Sequence, residues 1–169
     1  SNVANIALAT AAAPTYFAAA KVKNRIASST FLDGGMWANC PAMAALIEAI
    51  CYLDVAIDRI DILSIGTTEE PFTAKKMVNA CIFRWWRILI SLLMNAQVES
   101  SVSNVEALVG KNKFLRINRV TMPGMFTLDN SREIENLISV GNKVASDPWL
   151  LQMVKYRFLN GVAVLPWKN

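Results

Sequence analysis

The 169-residue chain has no histidine at all. Any nucleophile relay that passes a proton through imidazole is therefore excluded, and metal ligation loses its commonest side chain. Cysteine is scarce as well. Cys40, Cys51 and Cys81 stand in apolar surroundings without the paired spacing of zinc ligands, so neither a metal nor a cofactor is expected. Three thiols, an odd number, read as reduced intracellular cysteines, and a cytoplasmic location follows as the expectation. A Gly-x-Ser-x-Gly elbow is also missing: Ser28, Ser29 and Ser64 all lack the flanking glycines that would expose a nucleophilic hydroxyl.

Charge is thin, at 18% of residues against 54% hydrophobic, and the mean hydropathy is +0.32. Such a composition can bury a sizeable core and also suggests a greasy surface that awaits a partner. The net charge of +4 and pI near 9.1 come from scattered residues, densest at Lys75-Lys76 and at Arg84 with Arg87, so nucleic acid is not an expected partner. Long apolar runs are absent too. Arg84 and Arg87 interrupt the greasiest stretch, Cys81 to Ala96, well short of the roughly 18 residues that cross a bilayer. Its Ile82, Phe83, Trp85, Trp86, Leu89, Ile90, Leu93 and Met94 recur at helical spacing. A core helix is the first reading of that face, and peripheral contact with a membrane the second.

What is present reads as alternating strands and helices, an α/β chain with no linker and no internal repeat. Val3 to Ala12 reads as the end of a helix stopped by Pro14. Ile26 to Leu32 reads as a strand with Asp33 at its carboxyl end, where Gly34 and Gly35 permit a tight or positive-φ backbone. Pro41 suits a helix start, and Ala42, Ala45, Leu46, Ala49, Ile50 and Leu53 carry that helix to about Asp54. Ile60 to Gly66 predicts a buried parallel strand, followed by a helix over Thr73 to Gln97 and a weaker segment from Val98 to Val109. Phe114 to Val120 predicts an edge strand. Asn130, with Glu133 three residues on, predicts a capped helix that buries Ile134, Leu137, Ile138, Val144 and Ala145. Asp147-Pro148 begins another, with Trp149, Leu150, Val154 and Phe158 as its apolar stripe.

An acid at a strand end beside two glycines is well placed for chemistry. The local residues support two readings of Asp33. One is a turn aspartate that bonds nearby backbone N–H groups. The other is a general base, which requires the ordinary carboxyl pKa of about 3.9 to be raised by a partly dehydrated pocket, with Phe17, Met36 and Trp37 as candidate walls. Gly34 and Gly35 form an ordinary turn or aim the carboxylate, and Asn39 caps a helix or fixes the loop.

Three motifs occur together: Ala9-Thr10-Ala11-Ala12-Ala13-Pro14-Thr15-Tyr16-Phe17, Asp33-Gly34-Gly35, and Asn39-Cys40-Pro41. In order and spacing they resemble the patatin-like phospholipase family, and the likeness continues through Ile62-Leu63-Ser64-Ile65-Gly66-Thr67 and, more loosely, to Ala145. Cys40 stands where members often carry Asn, and Ala12 where they carry a small hydroxyl residue. The resemblance implies a partial three-layer α/β/α fold related to that of cytosolic phospholipase A2. It also implies hydrolysis of phospholipid or other acyl-ester lipids by a serine–aspartate dyad, with Asp33 as the acid. Gly34, Gly35, Asn39, Thr10, Tyr16 and Phe17 would be the supporting turn and pocket. The elbow and the glycine-rich oxyanion hole precede this region in the family. Residues 1–169 are accordingly expected to be the C-terminal portion of a single patatin-like domain, inactive without the N-terminal portion. The alternative is a non-catalytic remnant of the fold that binds lipid or protein.

Overall fold

The computed structural model describes residues 3–14, 16–23, 28–71, 82–126 and 130–160, with backbone alone over 82–88. Helix α1 spans Val3–Thr10 and leads into a hairpin of β1, Ala20–Lys23, and β2, Ser28–Phe31, paired antiparallel with Ala20 opposite Phe31. After β2 come α2, the single turn Gly35–Ala38, and α3, Ala42–Cys51. Strand β3, Ile62–Ile65, lies parallel to β4, Phe114–Ile117, in the register Ile62 to Phe114. The crossover between these strands carries α4, Ile82–Val109, as parallel strands require a long connection. Two further helices, α5 (Ile134–Ala145) and α6 (Pro148–Val154), follow, and α6 continues as a wider π-turn over Lys155–Leu159. The chain is α/β, with helices and strands alternating as the sequence predicts.

The core forms where α3 and α4 meet the parallel pair. Cys40, Ala42, Leu46, Ile60, Val105 and Phe114 are buried there, and Val98, Val102 and Val109 pack against them. Those valines explain a departure from expectation. The predicted weakening after Gln97 does not occur, because Val98, Val102, Val105 and Val109 keep one face of α4 on the core despite the low helix propensity of its serines. The helix ends at Gly110, whose φ of +87° suits glycine. The predicted start of this helix from Thr73, and Cys81, lie outside the described residues, as do the side chains of Ile82, Phe83, Trp85 and Trp86.

Other expectations need correction. The hairpin partner β1 is not foreseen, because Ala20-Lys21-Val22-Lys23 is too short for its alternation to stand out. Strand β4 ends at Ile117, and pairing resumes only as a bridge between Val120 and Glu69. Asn130 caps a 3-10 turn, Ser131–Glu133, by accepting from the Arg132 N–H, so α5 itself starts at Ile134. Ile134, Leu137 and Ile138 are exposed rather than buried, as is Trp149 on α6. The apolar stripes are present but only partly covered: Val144, Leu150, Val154 and Phe158 are half-buried, and α5 packs against α6.

Candidate active site

Asp33 sits two residues beyond the end of β2, where the Asp33 N–H donates to the Ala12 carbonyl at 3.0 Å. That bond ties the loop to the segment that follows α1. One carboxylate oxygen, Oδ1, accepts from the Gly35 N–H at 2.6 Å, and the carboxylate makes no ion pair among the described residues. The Asp33 carbonyl then receives the Met36 N–H, and the Gly34 carbonyl receives those of Trp37 and Ala38, which winds α2 directly onto the acid.

The glycines act by proximity. Gly34 is helical, at φ −61° and ψ −25°, and among the described residues the positive-φ glycines are Gly110 and Gly124, so of the tight or positive-φ backbone that these glycines permit, the positive-φ form is not the one adopted. A Cβ on Gly35 would lie 2.9 Å from Asp33 Oδ1, 3.5 Å from Asn39 Oδ1 and 3.7 Å from Met94 Cε, whereas one on Gly34 would meet Thr10 Oγ1 at 3.6 Å. Thr10, Asp33, Gly34, Gly35 and Asn39 are thus brought together. The Tyr16 and Phe17 N–H groups both donate to the Ala13 carbonyl, and Phe17 lines a hollow of about 390 Å³ with Leu8, Ala12 and Val22. Phe17 is 67% exposed and Trp37 77%, so neither encloses the acid.

Beside this corner α2, α3 and α4 surround a mainly apolar hollow of about 870 Å³, with Met36, Trp37, Met43, Ile47, Leu93 and Met94 among its walls. Two polar side chains of α4 reach across to the Asp33 loop. Gln97 Nε2 donates to the Met36 carbonyl at 3.1 Å, while Ser101 Oγ donates to the Cys40 carbonyl at 2.9 Å and accepts from the Met43 N–H at 3.2 Å. On the sheet side Arg116 Nη1 contacts Ser64 Oγ at 2.8 Å and Cys40 Sγ at 3.4 Å. Burial pushes the Cys40 thiol up. The hydrogen bonds at Ala42, Ser64 and Ser101 and the Arg116 charge outweigh it, holding the thiol below its ordinary range. Gln97, Ser101 and Arg116 are not foreseen. The one sequence trace of the first two is their i, i+4 spacing, which sets both on one helical face.

Among the described residues no cluster of three or more acidic or cysteine side chains is arranged to hold a metal ion. No described helix is long and apolar enough to cross a membrane.

No protein-family model matches the chain. It is 31% identical over 145 residues to a cGAMP-activated phospholipase of Pseudomonas aeruginosa, covering 83% of this chain and 40% of that protein. Identity to patatin-like protein 1 of Arabidopsis thaliana is 26% over 178 residues, covering 86% of this chain and 43% of that one. A cGAMP-activated phospholipase of Escherichia coli is 42% identical over 71 residues, covering 40% of this chain and 19% of that protein. These relatives support a patatin-like phospholipase family for the chain. It spans about two fifths of the length of the first two, at 40% and 43%.

Proposed function

We propose that this chain supplies the acid of a serine–aspartate dyad that hydrolyses acyl esters of lipids, phospholipid foremost, with Asp33 as the general base. On this reading residues 1–169 are the C-terminal portion of one patatin-like domain, and the nucleophilic serine and oxyanion hole belong to an N-terminal portion. A serine hydroxyl attacks poorly until a positioned base takes its proton, and a carboxylate held beside it can take that proton. The observation that carries the proposal is the half-satisfied Asp33 carboxylate: Oδ1 is anchored by Gly35 at 2.6 Å, and no ion pair neutralises the group among the described residues. The adjoining hollow of about 870 Å³ suits an acyl chain, and exposed Trp37 at its rim suits peripheral contact with a cytoplasmic membrane face.

The rival reading, a non-catalytic remnant that binds lipid or protein, draws on the same Asp33–Gly35 bond, since an aspartate turn makes it without any chemistry. Kinetics separate the two. In the full-length protein, Asp33→Asn and Asp33→Ala are expected to lower kcat on a short-chain p-nitrophenyl ester by roughly 10²–10⁴-fold while circular dichroism stays unchanged. Full activity in either variant refutes the assignment.

A further inference from the structure

We propose that Gln97 and Ser101, one turn apart on α4, are positioning residues that hold the Asp33 loop in register for proton transfer; this rests on Asp33 being the base. The loop from Asp33 to Pro41 contains only one helical turn, α2, and a four-residue helix leaves its carbonyls without i+4 partners. Gln97 Nε2 supplies a donor for one of them, Met36. At the other end α3 begins after Pro41 without a side-chain cap of its own. Ser101 substitutes for that cap from another helix, since its Oγ accepts from the Met43 N–H and donates to the Cys40 carbonyl.

Both tethers come from one face of a helix that does not shift easily. Val105, one turn beyond Ser101, has 0% exposure, and Val98 and Val102 flank it in the core. Val105 thus anchors α4, which splints the loop at Met36 and at Cys40–Met43. At the near end the loop is held by the Asp33 N–H to Ala12 bond. Releasing Met36 leaves α2 free to roll, and the Gly35 N–H that fixes Asp33 Oδ1 rolls with it. Proton transfer tolerates little displacement of its base, and misplacement of about 1 Å can cost roughly a hundredfold.

The test uses the full-length protein with p-nitrophenyl butyrate and four variants: Gln97→Leu, Ser101→Ala, Ser101→Thr and Asp33→Asn. Gln97→Leu and Ser101→Ala are expected to lower kcat roughly tenfold to a hundredfold, with KM and the thermal midpoint close to wild type. Ser101→Thr, which keeps the hydroxyl, is expected to restore most of the rate. Inactive Asp33→Asn combined with full kcat in Gln97→Leu and Ser101→Ala overturns the positioning role alone. A rate that falls only in step with the folded fraction overturns it as well. Full activity in Asp33→Asn instead overturns the reading of Asp33 on which it rests. Should Ser101→Ala not fold, Gln97→Leu carries the comparison, because Gln97 is only half-buried and its buried Oε1 has no hydrogen-bond partner to lose among the described residues.

Discussion

Arg116 places one guanidinium nitrogen, Nη1, between two side chains, 3.4 Å from Cys40 Sγ and 2.8 Å from Ser64 Oγ. No carboxylate pairs with that cation among the described residues, so its charge acts on the thiol.

Cys40 should therefore ionise more readily than an ordinary thiol, and Arg116→Met should raise its midpoint. Thiolate absorbance followed against pH, in a chain with Cys51→Ser and Cys81→Ser, reads that midpoint. An unchanged midpoint would show that the arginine does not act on the sulfur. The sign of the linked stability follows from the lowered value. The thiolate's contribution is complete above the unfolded thiol pKa and is lost as pH falls through the folded one. Resistance to urea should rise across that interval in the parent chain, and Cys40→Ser should remove the rise.

The two glycines after Asp33 should not be equivalent. A methyl on Gly35 meets Asp33 Oδ1 at 2.9 Å, so Gly35→Ala must displace the carboxylate or break its 2.6 Å bond. On Gly34 the methyl meets Thr10 Oγ1 at 3.6 Å, an ordinary contact, and the backbone there is already helical. In the full-length protein kcat should fall roughly tenfold or more in Gly35→Ala and by much less in Gly34→Ala. Equal losses in the two variants would mean that proximity to the acid is not what requires glycine.

The same contrast separates what a local residue pattern records from what packing decides. Helix α3 is legible because Ala42, Leu46, Ala49 and Ile50 repeat its period, and β3 because Ile62-Leu63-Ser64-Ile65 is short and bounded by Gly66. The corner of Thr10, Asp33, Gly34, Gly35 and Asn39 is legible through its motifs, although the reason for glycine at position 35 is not. The groups that fix the corner are hidden for a physical reason. Gln97 and Ser101 each lie 61 residues from the carbonyls they bond, and Arg116 lies 76 from Cys40, so no local pattern records those contacts. The single span of α4 is hidden similarly. Ser100, Ser101, Ser103 and Asn104 argue against helix locally, and packing on α3 and β4 overrides them.

The core is small enough that one side chain should decide whether the corner stands. Leu46 is 1% exposed and packs with Val105 and Phe114, where α3 meets α4 and β4. Truncation to alanine removes buried methyl groups and leaves a cavity that the crossing of α3 with α4 cannot easily close, a change that typically costs about 2–5 kcal/mol. A domain stable by only about 5–15 kcal/mol loses a large share of its margin in this way. Urea unfolding of Leu46→Ala should show a lower midpoint at an unchanged slope. Ile47→Ala, on the exposed side of the same helix, should differ from wild type by less than about 1 kcal/mol. The comparison isolates the buried face, because both changes shorten an aliphatic side chain at adjacent positions of α3. If both variants unfold at the same urea concentration, the α3–α4 contact is not the core on which the Asp33 corner is built.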